Sequence, residues 1–132
     1  MVLTVMQDVL EKHLNREVAS LKINKIITED LHPLKQRAEK IASELKGIKL
    51  DCDIMPCTST VGGGTSPRAK INSIALQLSS NKLTAIQMAS KMRNAELPII
   101  GLIKGGKYCL DLRTIFPEQD KFLLSRIREI FN

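Results

Sequence analysis

Apolar residues recur at helical spacing near the start of the chain. Val2, Val5, Met6, Val9, Leu10 and Leu14 share one side, Gln7, Asp8, Glu11 and Lys12 take the other, and the pattern predicts an amphipathic helix over residues 3–15. A second helix is predicted with Thr28, Glu29 and Asp30 in its first turn and Pro33 near its start. It continues through "LKQRAEKIASELKG", with Leu34, Ala38, Ile41 and Leu45 as its buried stripe and Gly47 as its C-cap. The period then drops to two. Ile48, Leu50, Cys52 and Ile54 alternate with Lys49, Asp51 and Asp53, as in a strand buried on one face.

All periodicity stops in "PCTSTVGGGTSPR", and a second strand follows, with Ile74, Leu76 and Leu78 alternating with Ala75, Gln77 and Ser79. Residues 82–95 return to helical spacing through Leu83, Ile86, Met88, Ala89 and Met92, with Ser80 or Asn81 as the expected N-cap. "IIGLI" and "KYCLDLR" flank "KGGK", which predicts a tight hairpin turning at Gly105 and Gly106. Pro117 opens a last helix whose apolar side is Phe122, Leu123, Ile127, Ile130 and Phe131. Glu118 and Asp120 suit its positive end, and Arg126 and Arg128 its negative end. The order helix, helix, strand, strand, helix, strand, strand, helix predicts an α+β domain: a mainly antiparallel sheet of about four strands with helices packed on one face.

Composition narrows the class. The 132 residues are the size of one domain, read as 1–132, and small for a complete enzyme with a buried cofactor site. No segment approaches the roughly 20 apolar residues of a membrane span, and the N-terminus lacks the marks of a secretory signal, so a cytoplasmic location is expected. The net charge of +6 favours an anionic partner. Aromatic residues make up only 3% of the chain, so any contact with RNA falls to backbone charge rather than base stacking. Lys35, Arg37, Lys40 and Lys46 on the second helix are candidates for phosphate contact, or form an ordinary solvated face. Cys52, Cys57 and Cys109 lack the spacing and nearby histidines of a zinc site, so no metal is expected and the thiols read as small buried groups in a reducing compartment.

The glycines Gly62, Gly63 and Gly64 invite a phosphate-loop reading. That loop requires a following helix and a closing Lys-Ser/Thr pair, whereas "GGGTSPRAK" runs into strand-like sequence. The remaining reading is a backbone bend with positive φ or close approach.

The blocks "DIMPCTSTVGGGTSP", "NSIAL" and "ELPIIGLIKGGKYCLDLRTI", in that order and followed by an acidic start to the last helix, resemble the C-terminal part of bacterial selenocysteine synthases, the L-seryl-tRNA(Sec) selenium transferases. The resemblance spans nearly the whole chain. It implies the small C-terminal domain of a pyridoxal-phosphate enzyme of the aspartate-aminotransferase fold type, which converts seryl-tRNA(Sec) to selenocysteinyl-tRNA(Sec) with selenophosphate. The cofactor lysine of that family lies in an upstream domain whose motif is not matched here, so no catalytic or cofactor-binding residue is expected in this chain and no cofactor on the chain alone. Its implied partners are the upstream cofactor domain, seryl-tRNA(Sec) and further copies of the parent enzyme. The resemblance marks Gly62, Gly63 and Gly64 as a loop facing the active site. Arg113 is either an anion contact or a structural partner of Asp111 or a sheet neighbour. Arg68 contacts tRNA or the site mouth, or is a solvated loop charge. Where the family usually has Gly-Arg-Ile, this chain has Gly101, Leu102 and Ile103. The departure favours another reading, the small domain of a related pyridoxal-phosphate lyase, and a free-standing noncatalytic interaction domain is a third.

Overall fold

The computed structural model describes residues 1–60 and 70–131, apart from the side chain of Val18, and divides into two compact units, Met1–Asp30 and Leu31–Asn132. The glycine loop with Gly62, Gly63, Gly64 and Arg68 lies outside the described residues.

The first unit contains helix α1, Val2–Leu14, a single turn at Val18–Ser20, and helix α2, Lys22–Thr28. Its pattern predicts α1 correctly. Lys12 pairs with Asp8 at 2.7 Å and Gln7 donates to Glu11 at 2.8 Å, so the polar side is knit by i,i+4 contacts. Helix α2 escapes the sequence reading. Thr28, expected to open a helix, closes this one, its hydroxyl donating to the Asn24 carbonyl at 2.8 Å. Neither helix contains a buried residue.

In the second unit the element order is helix α3 (Leu31–Glu44), strands β1 (Asp51–Thr60) and β2 (Lys70–Ser79), helix α4 (Ala85–Arg93), strands β3 (Leu102–Lys104) and β4 (Lys107–Asp111), and helix α5 (Asp120–Phe131). The strands form one antiparallel sheet in the order β1-β2-β4-β3. The expected α+β class with a four-stranded antiparallel sheet is the one observed. Gly105 and Gly106 turn the β3–β4 hairpin with φ of 58° and 73°. Two successive positive φ values match the right-handed twist of the flanking strands, which is why this turn takes glycine.

The core lies between the sheet and the helices. All four residues of the α3 stripe are buried, packed with Leu76, Leu78, Tyr108 and Leu110 from the central strands and Leu123 and Ile127 from α5. Among the described residues two ion pairs join α3 to α5: Arg128 lies 3.7 Å from the Glu44 carboxylate, and in the more buried pair Arg37 Nε donates to Asp120 Oδ2 at 2.8 Å while Arg37 Nη1 donates to the Leu112 carbonyl at 3.0 Å. Arg37 is therefore a structural clamp rather than part of a solvated basic face, while Lys35, Lys40 and Lys46 stay exposed.

Several local expectations need correction. Helix α4 is capped by Thr84, not by Ser80 or Asn81. Gln87 N–H donates to the Thr84 hydroxyl and Gln87 Oε1 accepts from Thr84 N–H, the reciprocal arrangement that favours this start. The Ser80 hydroxyl is occupied by Lys49 and Lys82 instead. That start puts Ala85, Met88 and Met92 on the buried side and leaves Ile86 72% exposed. Leu124, absent from the expected stripe of α5, is buried. Strand β1 begins three residues later than the alternation of Ile48 suggests and continues through Pro56 to Thr60, placing both Cys52 and Cys57 on the strand. Proline is accommodated because β1 is an edge strand, with β2 on one side only.

Candidate functional site

Polar chemistry concentrates on the sheet face opposite the helices. The register puts Ser59 and Cys57 of β1, Ser73 and Ala75 of β2, and Asp111 and Cys109 of β4 on this face, alternating with the core residues. Asp111, at the end of β4, is its centre. Oδ2 accepts from the Ser59 hydroxyl. Oδ1 accepts from the Ser73 hydroxyl and from the Arg113 backbone N–H at 3.0 Å. Contact between Ser59 and Asp111 spans β2, so the far end of the β1–β2 ribbon curls over the sheet. Lys107 of β4 reaches Asp53 of β1 at 2.9 Å in the same way. The curl helps account for Ser73, only 1% exposed on the face away from the core.

Arg113 is buried, 3% exposed, and its Nη2 donates to the Asn72 carbonyl at 2.7 Å. A short helical turn, Leu112–Thr114, positions it, with the Asp111 carboxylate as N-cap and the Thr114 hydroxyl on the Asp111 carbonyl at 2.8 Å. Asp111 and Arg113 thus belong to one hydrogen-bonded assembly through the Arg113 main chain, and the guanidinium binds the main chain of β2. An aspartate between Leu110 and Leu112, and the Asn72-Ser73 pair inside "INSIAL", are polar interruptions in apolar strand sequence. They were the available signal for this cluster, but only the register joins them.

Two grooves flank the cluster. The smaller, about 270 Å³, has Thr58, Ser59, Thr60 and Asp111 on one side and Ile100 and Leu102 on the other. The larger, about 650 Å³, is mainly apolar and includes Leu97, Ile100, Ile115 and Phe122. Ile100 and Thr114 line both. Between them the chain is held by Tyr108, whose hydroxyl donates to the Ile99 carbonyl at 3.1 Å. A Cβ on Gly101 would stand 2.6 Å from both the Tyr108 ring and the Cys109 carbonyl oxygen, so glycine is the residue that fits.

Cys52 and Cys57 are unsuited to nucleophilic work. Burial, with Asp53 adding to it, pushes the Cys52 thiol from 9.0 up to about 11, and burial followed by the Asp111 charge raises Cys57 as well. Among the described residues no group of three or more His, Cys, Asp or Glu side chains could hold a metal ion.

Pyridoxal phosphate, implied by the resemblance, needs a lysine for its aldehyde and donors or cations for its phosphate. Among the described residues neither groove is lined by a lysine or arginine. Lys104 is exposed on the hairpin, and Lys107 is held in its charged form, its pKa raised by the hydrogen bond to Asp53. An amine destined for an imine needs the opposite shift. The described residues do not fit the cofactor. Leu102, where the resemblance implies an arginine, is 72% exposed on β3.

Among the described residues no helix is long and apolar enough to cross a membrane. Comparison with curated proteins finds L-seryl-tRNA(Sec) selenium transferases from Clostridium perfringens, 29% identical over 132 residues, and Alkaliphilus oremlandii, 28% identical over 134 residues. The Aquifex aeolicus protein of the same name is 22% identical over 135 residues. These matches cover 97%, 98% and 100% of this chain, but the chain spans only about 29% of each relative's length. The family model described as L-seryl-tRNA selenium transferase matches residues 1–116, and the chain belongs to that family.

Proposed function

We propose that this chain is the small C-terminal domain of an L-seryl-tRNA(Sec) selenium transferase, noncatalytic alone. Within the whole enzyme it takes part in converting seryl-tRNA(Sec) to selenocysteinyl-tRNA(Sec) with selenophosphate. The observation that carries the reading is the family match over residues 1–116 in a chain that spans less than a third of its relatives. On this reading pyridoxal phosphate binds to polypeptide outside these residues, in a cytoplasmic, oligomeric enzyme. This domain contributes a wall of the site, oligomer contacts or tRNA contacts. Leu102 keeps a second reading open, the small domain of a related pyridoxal-phosphate lyase, since a leucine cannot hold an anionic substrate group by charge.

Two experiments test the proposal. The purified chain is mixed with pyridoxal phosphate, reduced with borohydride and mapped by mass spectrometry; no stoichiometric lysine adduct is expected, and a single fully modified lysine would overturn the noncatalytic reading. A chimera then replaces the matching region of the Clostridium perfringens enzyme with this chain. Formation of selenocysteinyl-tRNA from seryl-tRNA(Sec) and selenophosphate is expected, and a folded, cofactor-loaded but inactive chimera would favour the lyase.

A further inference from the structure

Charge is divided unevenly along the chain. Leu31–Asn132 carries sixteen Lys and Arg against nine Asp and Glu, whereas Met1–Asp30 carries four against five, so the positive excess comes from the second unit. Part of it gathers at one end of the sheet. By register, β1 starts and β2 ends at the pair Asp51 and Ser79, β4 starts just beyond the pair Leu78 and Tyr108, and β3 ends at the pair Lys104 and Lys107. Three connections meet there: residues 45–50 leading into β1, residues 80–84 leaving β2, and the β3–β4 turn. They carry Lys46 and Lys49, then Lys82, then Lys107 and Lys104, in the order of the strands across the sheet. The first two connections are tied together, the Ser80 hydroxyl donating to the Lys49 carbonyl at 3.1 Å and accepting from the Lys82 N–H at 3.2 Å. Lys46, Lys49, Lys82 and Lys104 are exposed, and among the described residues none of them is in an ion pair. Of the acids nearby, Asp53 is engaged by Lys107 and Glu44 by Arg128, which leaves Asp51 against the four lysines.

Four strands about 4.8 Å apart make this row roughly 14 Å wide. Cations spread over that width do not converge on one small anion; they match a polymer of phosphates, since a nucleic-acid duplex carries a charge about every 1.7 Å of its axis. A lipid surface fits less well, because the apolar residues of the first two connections, Ile48, Leu50 and Leu83, pack against the core instead of offering an anchor. The three connections contain no aromatic residue, so the contact is with backbone charge and not with stacked bases. We propose that the lysine row at this end of the sheet is a surface for the phosphate backbone of a structured RNA. The choice of RNA rests on the function proposed above, whose substrate is a tRNA.

The test is fluorescence anisotropy of a labelled, unacylated tRNA transcript titrated with the chain at a series of salt concentrations. With about four phosphates neutralised, affinity should fall about 100-fold between about 50 and 200 mM salt. Lys49→Gln and Lys82→Gln should each weaken binding and lower the slope of log K against log salt by about 1. Combining them with Lys46→Gln and Lys104→Gln should abolish binding, with the melting temperature kept within a few degrees because all four side chains are exposed. Lys35→Gln with Lys40→Gln, on the outer side of α3, should keep the parent slope. An equal loss there would reduce the effect to net charge and overturn the inference. So would tighter binding to phosphatidylserine vesicles than to the transcript. A chain that binds through this row while its Clostridium perfringens chimera is folded, cofactor-loaded and inactive keeps the inference and sinks the proposed function. An active chimera whose chain binds tRNA without regard to these lysines, or not at all, does the reverse, and an inactive chimera with no binding through the row sinks both.

Discussion

Helices α1 and α3 run for 13 and 14 residues, each with a stripe of aliphatic side chains on one side and charge on the other. In α3 the stripe is buried: Leu34 and Ala38 are 0% exposed, Leu45 1% and Ile41 2%. In α1 no residue is buried, and Leu3 and Leu14 exceed 80% exposure. Amphipathic spacing states that a helix has a side to bury; it does not state against what. What separates the two is a partner. The α3 stripe meets the alternating core side of β2, whereas α1 belongs to a unit of two short helices and a turn, too little chain to build a core.

The largest test of this contrast is truncation. Ile41→Ala should cost about 2–5 kcal/mol in urea unfolding of the second unit, and Val9→Ala in α1 no more than about 0.5 kcal/mol. Equal losses would mean that α1 has a buried face after all. Next is the clamp that fixes α3 in place: Arg37→Ala leaves Asp120 partly buried without its cation and should cost about 2 kcal/mol by the same measurement. A comparable loss is expected for Gly101→Ala, where the new methyl would push on a backbone oxygen and a buried ring; overpacking costs about 1–3 kcal/mol, read as a fall in melting temperature. Thr84→Ala removes the α4 cap for about 1 kcal/mol, and Ser80→Ala should cost less; an equal or larger loss at Ser80 would contradict the assigned cap position.

The smallest effect is a slope with pH. The folded chain keeps the Cys52 proton up to about 11, against 9.0 ordinarily, so between those values the unfolded chain releases it first. This contribution to stability is whole below about pH 9 and fades as pH rises toward 11. Comparing urea midpoints at about pH 8 and about pH 10 should show a drop that Cys52→Ser reduces. An identical drop in the variant would assign it elsewhere, for example to Tyr108, whose burial also raises its pKa.

Much of the second unit was legible because local physics and tertiary demand agree there. Positive φ at Gly105 and Gly106 makes the β3–β4 turn, and the four stripe residues of α3 appear in the core as their spacing predicts. The α4 cap was misread because Ser80, Asn81 and Thr84 are all eligible residues, and the decision came from Gln87 three residues after Thr84. Helix α2 was missed because its seven residues bury nothing, so no long periodic stripe marks it. The cluster at Asp111 was only half visible. Arg113 was singled out, but Ser59 and Ser73 join the aspartate only through a ribbon curled across β2. Arg68 and the three loop glycines lie outside the described residues.

The sequence by itself determined the element types, the sheet class and the family, because each is written in near neighbours: a period of two or of 3.6, a Gly-Gly turn, an ordered set of short blocks. Tertiary structure alone decided which stripe finds a core, that Arg37 clamps Asp120 instead of facing solvent, and that Ser59 and Ser73 meet on Asp111. Those outcomes depend on contacts between residues as far apart as 37 and 120, and a contact at that separation exists only once strand register and helix packing have been set.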